Sequence, residues 1–171
     1  KGHLEIVKFL ISSGALMNEA DNDGDTPLIV ASSKGHLEIV KFLISSGALM
    51  NQANSKGWTP LNSASKEGHL EIVKFLISSG ALMNQASNKG LTPLISASSN
   101  GHLETVKFLI SSGALMNEAD NDGDTPLIVA SSKGHLEIVK FLISSGALMN
   151  EADNDGWTPL NSASSKGHLE I

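Results

Sequence analysis

The chain has 171 residues, of which 40% are hydrophobic, and this apolar content is typical of a folded protein rather than a disordered one. Its net charge of −6 argues against a general affinity for nucleic acids, and its lack of cysteine excludes disulfides and thiolate metal sites. No apolar run is long enough to cross a bilayer. A chain without cysteine suits a reducing compartment, so we expect an intracellular, cytoplasmic protein. We also expect no cofactor, no membrane insertion and no nucleic-acid partner.

One stretch, GHLEIVKFLISSG at residues 35–47, organises the sequence and returns every 33 residues. Further copies begin at Gly68, Gly101, Gly134 and Gly167. A fixed period of this length indicates a repeat array. We predict one domain over 1–171, divided into a partial repeat at 1–21, full repeats at 22–54, 55–87, 88–120 and 121–153, and a partial repeat at 154–171.

Each unit opens with a short helix that carries its own start and stop signals. Thr26 is suited to cap the first amides of this helix, and Pro27 fits the first helical position. Residues 28–34 then give about two turns at 3.6 residues each. Gly35 suits the left-handed position that follows a helix end, so the helix is predicted to stop there.

A second, amphipathic helix follows His36 and ends at residues 45–47. Its apolar face is formed by Leu37, Val40 and Ile44 and is widened by Ile39, Phe42 and Leu43. Glu38 and Lys41 lie three residues apart on the opposite face, where they are placed to form an ion pair. The sequence therefore predicts a pair of helices in every unit.

A loop rich in asparagine, aspartate and glycine joins each second helix to the next unit, and Asn22-Asp23-Gly24 is its strongest turn signal. We expect this loop to project as a β-hairpin-like finger. Helices this short are marginal in water on their own, so neighbouring pairs must stack to bury both of their sides. The sequence therefore predicts an all-α solenoid of stacked antiparallel helix pairs with β-hairpin-like finger loops.

Three recurring motifs resemble those of ankyrin repeats, and the resemblance covers essentially the whole chain. They are the Gly-x-Thr-Pro-Leu start, the Gly-His-Leu-Glu-Ile-Val segment and the Gly-Ala-x-x-Asn exit. The start motif lies at Gly24–Leu28, Gly57–Leu61, Gly90–Leu94, Gly123–Leu127 and Gly156–Leu160. The resemblance implies an L-shaped repeat in which first helices and finger tips form a concave binding groove, with the second helices on the convex back. It also implies a non-catalytic role in binding other proteins.

Two positions depart from the family pattern. The family usually follows Thr-Pro-Leu with histidine, so a hydrogen bond that braces its first helix is absent or replaced here. The residues at that position are Ile29, Asn62, Ile95, Ile128 and Asn161. The family's Gly-Ala-Asp-Val-Asn exit becomes Gly-Ala-Leu-Met-Asn at residues 47–51, where Leu49 replaces a polar residue. Leu49 either adds apolar surface at the base of the finger or deepens the core between repeats, and we expect partial burial.

The units differ mainly in the finger and the first helix, whereas the second helix is nearly constant. Residues 21–25 read DNDGD, while the equivalent residues 54–58 read NSKGW and residues 87–91 read SNKGL. This pattern fits a fixed scaffold with a variable binding edge, although surface loops also vary without binding anything. A longer period is present too, since residues 21–35 are identical to residues 120–134. Duplication of a three-unit block and deliberate construction both explain it.

We predict that the concave face binds a protein or peptide, with Trp58 and Trp157 as anchors, because a projecting tryptophan is a frequent hot-spot residue. Either ring can instead lie flat over the neighbouring finger. Asp25, Leu91 and Asp124 hold the same position elsewhere, so the row suits a peptide with apolar anchors and some basic character. The predicted partner-binding residues are Asn22, Asp23, Asp25, Ser55, Lys56, Trp58, Lys66, Asn88, Lys89, Leu91, Asn121, Asp122, Asp124, Asp155 and Trp157.

Other chemistries fit the sequence less well. The acidic residues 21–25 resemble a calcium loop only superficially, because an EF-hand needs glycine at position six and a carboxylate at position twelve. Here Gly24 is fourth and Ser32 is twelfth, so we interpret the aspartates as turn formers. The 6 histidines lie a full repeat apart, too far to share one metal ion, and we expect them to hydrogen-bond the turn between helices. No nucleophile with a base and an orienting group is present, so we predict neither catalysis nor a metal site.

The two ends of the chain have matching sequences, since residues 166–171 repeat residues 1–6. Repeat arrays normally close with polar capping units, whereas residues 4–11 have the sequence of an ordinary core helix. The chain is therefore either a fragment of a longer array or a structural module that self-associates head to tail through its uncapped repeat ends.

Overall fold

A computed structural model describes residues 3–171, and within that range it contains ten α-helices and no β-strand. The helices are α1 Leu4–Ser12, α2 Pro27–Ser33, α3 Leu37–Ser45, α4 Pro60–Lys66, α5 Leu70–Ser78, α6 Pro93–Ser99, α7 Leu103–Ser111, α8 Pro126–Lys133, α9 Leu136–Ser144 and α10 Pro159–Lys166. Even-numbered helices are the predicted first helices and odd-numbered ones the second helices. Over the same residues, no helix has both the length and the apolar character that a membrane crossing requires.

The predicted signals at the ends of the first helices are confirmed. Thr26 Oγ1 accepts a hydrogen bond from the backbone N–H of Ile29 at 3.3 Å. The threonines before α4, α6, α8 and α10 cap their helices in the same way, each followed by proline. Beyond α2 the chain turns at Gly35, which has φ of 76° and so adopts the left-handed conformation that favours glycine.

The second helices α3, α5, α7 and α9 each bury one apolar face and expose a charged one. In α3 the buried side chains are those of Ile39, Val40 and Leu43. Leu37 and Ile44 are only half-buried, so the centre of the buried face lies slightly to one side of the predicted one. The predicted ion pair forms between Lys41 Nζ and Glu38 Oε1 at 2.8 Å, and each of the other second helices has an equivalent pair.

The helix pairs stack in a row. Each first helix contacts the next first helix, from α2 through α4, α6 and α8 to α10. The first four of them also pack against the second helix of their own pair. The second helices form a parallel row of contacts from α1 to α9. One continuous core runs between the rows, with Leu28, Leu61, Leu94 and Leu127 from the first helices and Val40, Val73, Val106 and Val139 from the second helices. The predicted all-α solenoid is thus confirmed.

Hydrogen bonds repeated once per unit connect the stacked pairs. His69 Nε2 donates to the carbonyl of Ser33 at 3.0 Å, so the predicted contact with a turn exists, but the turn belongs to the preceding helix pair. The backbone N–H of Leu82 donates to Asn51 Oδ1 at 3.0 Å, again across a boundary between units. The asparagine of the Gly-Ala-Leu-Met-Asn exit therefore fixes the position of the following exit loop.

The two types of residue that replace the family's histidine brace the first helix differently. Asn62 is buried, shares a hydrogen bond with the Thr59 hydroxyl, and donates from Nδ2 to the carbonyl of Leu91 in the next finger at 2.9 Å. Asn161 pairs with the hydroxyl and backbone N–H of Thr158. The isoleucines are fully buried, so apolar packing takes the place of the hydrogen bond there. The fully buried isoleucines are Ile29, Ile95 and Ile128.

The predicted partial burial of Leu49 is wrong, because this side chain is 57% exposed. The residues on either side of it, Ala48 and Met50, pack against the core and fill the space between units. The backbone N–H of Leu49 is held by Asn18 Oδ1 at 2.9 Å, which fixes the loop with the leucine pointing away from the core. The equivalent leucines form an exposed apolar row: Leu16, Leu49, Leu82, Leu115 and Leu148.

Candidate binding face

Five finger loops project from the stack, and each is a tight turn. We number them finger 1 (residues 21–25), finger 2 (54–58), finger 3 (87–91), finger 4 (120–124) and finger 5 (153–157). In every finger the first residue donates its backbone N–H to the carbonyl of the fifth, at 3.0 to 3.1 Å. The closure is hairpin-like, as predicted, although it is a turn without strands.

The first side chain of each finger completes this turn. In finger 1, Asp21 Oδ1 accepts the backbone N–H groups of Asp23 and Asp25, both at 2.9 Å. Asn54 and Ser87 accept the equivalent amides in fingers 2 and 3. Because an amide or hydroxyl oxygen serves as well as a carboxylate, the acidic residue at this position is a turn former, as the sequence predicts.

Backbone hydrogen bonds also join neighbouring fingers. Ser55 N–H donates to the carbonyl of Asp23 at 3.1 Å, and the same bond recurs from each finger to the next. Asn88 and Asn121 add a second bond, since their side-chain Nδ2 atoms donate to the carbonyl one finger earlier at 3.0 and 2.9 Å. The fingers therefore form one continuous edge, and we call this edge together with the adjoining surface of the first helices the finger face.

A cleft of about 290 Å³ opens on the finger face between fingers 1 and 2, and its floor is formed by α2 and α4. We call it the Trp58 cleft. Four of the predicted site residues line it together: Asp25, Lys56, Trp58 and Lys66. Lys34 and Glu67, which sequence reasoning did not single out, complete its charged rim. Both residues directly precede the glycine at the end of a first helix. This shared position is the signal from which they could have been predicted in the sequence.

Charged and polar contacts hold the Trp58 cleft in shape. Asn54 Nδ2 donates to Asp25 Oδ1 at 2.7 Å, joining finger 2 to finger 1. Lys66 Nζ lies 5.6 Å from the centre of the Trp58 ring, within the range of a cation–π interaction. Lys66 also forms an ion pair with Glu67 Oε1 at 3.4 Å. The indole of Trp58 is half-buried, and the ammonium group of Lys66 lies over its ring.

A second, smaller cleft of about 270 Å³ lies at the other end of the finger face, between finger 5 and α10. We call it the Trp157 cleft. It is lined by Asp155, Trp157, Asn161 and Ser165. Trp157 is 43% exposed, and Ser165 occupies the place that Lys66 has in the first cleft. Among residues 3–171, no lysine lies over this ring as Lys66 lies over Trp58.

Finger 4 differs from finger 1 in its electrostatics although the two have the same sequence. Partial burial raises the pKa of Asp124 to about 6, and the carboxylates of Asp120, Asp153 and Asp122 add to the effect. Asp153 occupies in finger 5 the position that Asn54 has in finger 2, and Asn54 donates a hydrogen bond to Asp25. A carboxylate thus faces Asp124 where an amide donor faces Asp25.

The structure places the predicted site residues in one row but not in one pocket. Half-buried positions are those of Asp25, Trp58, Leu91 and Asp124, whereas the exposed ones are Asn22, Asp23, Ser55, Lys56, Lys66, Asn88, Lys89, Asn121, Asp122, Asp155 and Trp157. Asn88 and Asn121 already donate to neighbouring fingers, so part of their hydrogen-bonding capacity is used within the chain.

Short helix pairs stacked in a row, joined by one hydrogen-bonded edge of finger loops, define a helical repeat solenoid. The family model described as ankyrin repeats (3 copies) matches residues 1–87, 47–120, 79–153 and 115–171, which together cover the chain. The chain belongs to the ankyrin repeat family. Ankyrin repeats generally act as protein–protein interaction modules. The comparison with curated proteins gave no match.

Proposed function

We propose that this chain is a non-catalytic, intracellular scaffold, acting in the cytoplasm, that binds a protein or peptide along its finger face. The observation that carries the proposal is the Trp58 cleft, where residues that vary between units lie together around a half-buried indole. Half-buried aromatic side chains in a cleft are typical anchors for a partner. The nearly constant second helices, on the other side of the stack, supply the core instead.

The proposed contact residues are those that the sequence predicts, with Lys34 and Glu67 added because they line the Trp58 cleft. Trp58 and Trp157 should contribute most, since each offers a large apolar surface next to charged groups. Leucine and aspartate occupy the same position in other fingers, so the fold does not require an indole there. Replacing both tryptophans with alanine should therefore weaken binding much more than it changes thermal unfolding.

The test compares three forms of the chain as bait for partner capture: the wild type, a Trp58→Ala/Trp157→Ala variant, and a Glu71→Ala/Lys74→Ala control. The control removes an ion pair of 2.8 Å on the exposed face of α5, away from the finger face. A partner retained by the wild type and the control but lost by the tryptophan variant supports the proposal. A partner that binds all three equally contradicts it.

A second candidate function, head-to-tail self-association, is favoured by the exposed apolar residues at the two ends of the stack. Phe9 in α1 and Leu160 in α10 are each 70% exposed. The interior counterparts of Leu160, such as Leu61, are fully buried between stacked units. Inside the stack, the next helix pair covers this apolar surface. The α10 end of one copy of these 171 residues therefore matches the α1 end of a second copy.

Sedimentation velocity over a wide concentration range tests this second candidate. Growth in the sedimentation coefficient with concentration, abolished by Leu160→Glu, is the expected result. A chain that stays monomeric at the highest concentration excludes end-to-end association for this sequence.

A further inference from the structure

Trp58 and Trp157 occupy equivalent backbone positions, so the differences between their clefts come from their neighbours. Each tryptophan follows the glycine of its finger. The backbone N–H of Trp58 donates to Asn54 Oδ1 at 2.9 Å, and that of Trp157 donates to Asp153 Oδ1 at 2.8 Å. The two rings thus leave the same kind of turn, 99 residues apart in the sequence.

The Trp58 cleft is lined by more lysines than carboxylates. Its lysines are Lys34, Lys56 and Lys66, and its carboxylates are Asp25 and Glu67. Both carboxylates have partners, since Asp25 accepts from Asn54 at 2.7 Å and Glu67 pairs with Lys66 at 3.4 Å. Lys34 and Lys56 form no ion pair with any residue in 3–171. Beside the indole, the cleft therefore presents two cationic groups that are available to an anion.

The Trp157 cleft has the opposite balance at the same positions. Asp155 stands in the place of Lys56, Asp153 in that of Asn54, and Ser165 in that of Lys66. Lys166 stands in the place of Glu67, but neither Lys166 nor Lys133 is among the residues that line the Trp157 cleft. Asp153 belongs to the same finger as Trp157 and accepts its backbone N–H at 2.8 Å. Asp155 is exposed and lines the cleft next to Trp157. In the part of the chain that the structure describes, its carboxylate forms no ion pair.

We propose that the finger face binds one extended peptide segment with two apolar anchors of opposite charge environment. The anchor at Trp58 is flanked by a carboxylate side chain, and the anchor at Trp157 is flanked by a basic side chain. The opposite charges fix the direction in which the peptide lies, because the reversed peptide would place like charges together at both clefts. This inference rests on the proposed function and specifies the partner's chemistry.

The spacing of the two anchors follows from the stack. Three steps between neighbouring first helices separate α4 from α10, and packed helices lie about 8–10 Å apart. The clefts are therefore about 25–30 Å apart, which an extended peptide covers in about eight or nine residues at roughly 3.3 Å each. Leu91 in finger 3 lies between them and offers a smaller apolar contact on the way.

The 2 tryptophans of the chain allow each cleft to be followed separately by fluorescence. In the Trp157→Phe variant only Trp58 emits, and in the Trp58→Phe variant only Trp157 emits. Each variant is titrated at low ionic strength with two acetylated peptides, Glu-Glu-Leu-Glu-Glu and Lys-Lys-Leu-Lys-Lys. We expect Trp58 to respond to the glutamate peptide at about fivefold lower concentration than to the lysine peptide, and Trp157 to show the reverse, since small gains from exposed charge pairs combine with repulsion of the like-charged peptide.

A charge-swapped variant provides the matched control. Adding Lys56→Asp and Lys66→Ser to the Trp157→Phe chain gives the Trp58 cleft two side chains that the Trp157 cleft has. The Trp58 cleft should then prefer the lysine peptide. Three results would overturn the proposal. They are the same peptide preference in both clefts, no response in either cleft, and tighter binding of a thymidine oligonucleotide than of the glutamate peptide at Trp58. Partner capture that depends on both tryptophans, combined with unselective clefts, would leave the proposed function standing and reject only the charge pattern.

Discussion

His69 donates a hydrogen bond from Nε2 to the backbone carbonyl of Ser33, at 3.0 Å, across the boundary between two helix pairs. Ser33 is the last residue of α2, and the last carbonyls of a helix have no partner within the helix. The histidine that precedes each second helix therefore satisfies the end of the first helix in the preceding pair. The same bond joins His102 to Lys66, His135 to Ser99 and His168 to Ser132, at 2.8 to 3.1 Å.

Replacing His69 with alanine should lower the free energy of unfolding by about 1 kcal/mol, the usual net contribution of one hydrogen bond. Urea titration followed by circular dichroism measures this loss. His36→Ala is the matched control, because His36 precedes an identical helix but makes no such bond within residues 3–171. Equal losses in the two variants would show that the bond to Ser33 does not contribute to stability.

The glycine at the end of α2 is required for two reasons that can be separated. Gly35 has φ of 76°, and a Cβ atom added to it would lie 2.7 Å from His69 Cε1. Gly47 has φ of 97° but no atom within 4 Å of an added Cβ. Both alanine variants should lose about 1–2 kcal/mol for the left-handed backbone. Gly35→Ala should lose more, because the imidazole must move and its bond to Ser33 weakens.

Chemical denaturation of the two glycine variants, and of a chain carrying both Gly35→Ala and His69→Ala, measures the two contributions. Once His69 is alanine, the ring no longer meets the new methyl group, so Gly35→Ala should cost no more than Gly47→Ala. A Gly35→Ala cost that is unchanged by His69→Ala would refute the proposed steric conflict.

Local signals were sufficient to predict the helices and their ends. Thr26 caps α2, and Gly35 forms the turn after this helix, as predicted. Both features depend on bonds and backbone angles that a few neighbouring residues determine. The ion pair of Glu38 with Lys41 is likewise set by the geometry of one helix. Such features depend on short-range chemistry that a sequence displays directly.

Features that depend on contacts between units were harder to predict. Leu49 is exposed because Ala48 and Met50 fill the space between units, and nothing in a single repeat shows which of three apolar neighbours points inward. Lys34 and Glu67 join the Trp58 cleft through stacking, since they directly follow α2 and α4 and do not belong to the fingers. Trp58 and the charged residues Lys56 and Lys66 were predicted from the sequence, whereas the part that Lys34 and Glu67 take in the cleft required the packed structure.

The buried hydroxyl of Ser65 should reduce stability rather than increase it. Ser65 is fully buried in α4, and its Oγ has no hydrogen-bond partner within residues 3–171. An unsatisfied buried hydroxyl costs about 1–3 kcal/mol, so Ser65→Ala should raise the free energy of unfolding by about 1 kcal/mol after the small loss of packing. The same position holds Ser32, Ser98 and Ser131, which are also buried and unpaired in this range.

Ser78→Ala is the control for this change. Its hydroxyl is exposed and donates to the carbonyl of Phe75 at 2.9 Å, so its removal should leave the urea midpoint nearly unchanged. A fall in stability for Ser65→Ala would indicate that the hydroxyl has a partner in solution, such as a bound water molecule.

The raised pKa of Asp124 should make the stability of the chain depend on pH. Burial, together with the carboxylates of Asp120, Asp153 and Asp122, raises the pKa of Asp124 from 3.8 to about 6. The folded chain therefore holds this proton more tightly than the unfolded chain. The resulting stabilisation is fully present below about pH 4, is lost as the pH rises to about 6, and is absent at pH 7.

Asp153→Asn should weaken this dependence by copying an arrangement that the chain already contains. Asn54 donates from Nδ2 to Asp25 Oδ1 at 2.7 Å, while its Oδ1 accepts the amides of Lys56 and Trp58. An amide at position 153 keeps the same turn and replaces a repelling carboxylate with a donor to Asp124. The pKa of Asp124 should fall, and the urea midpoint at pH 7 should rise while the midpoint at pH 4 changes little.

Asp155→Asn separates this local effect from a change in net charge. Asp155 is exposed in the same finger and is not among the carboxylates that raise the pKa of Asp124. Both variants remove one negative charge, but only Asp153→Asn supplies the amide donor that faces Asp124. The pH 7 midpoint should therefore rise for Asp153→Asn and move little for Asp155→Asn. An equal rise in both would mean that long-range repulsion within the acidic fingers, rather than the carboxylate facing Asp124, sets the pH dependence.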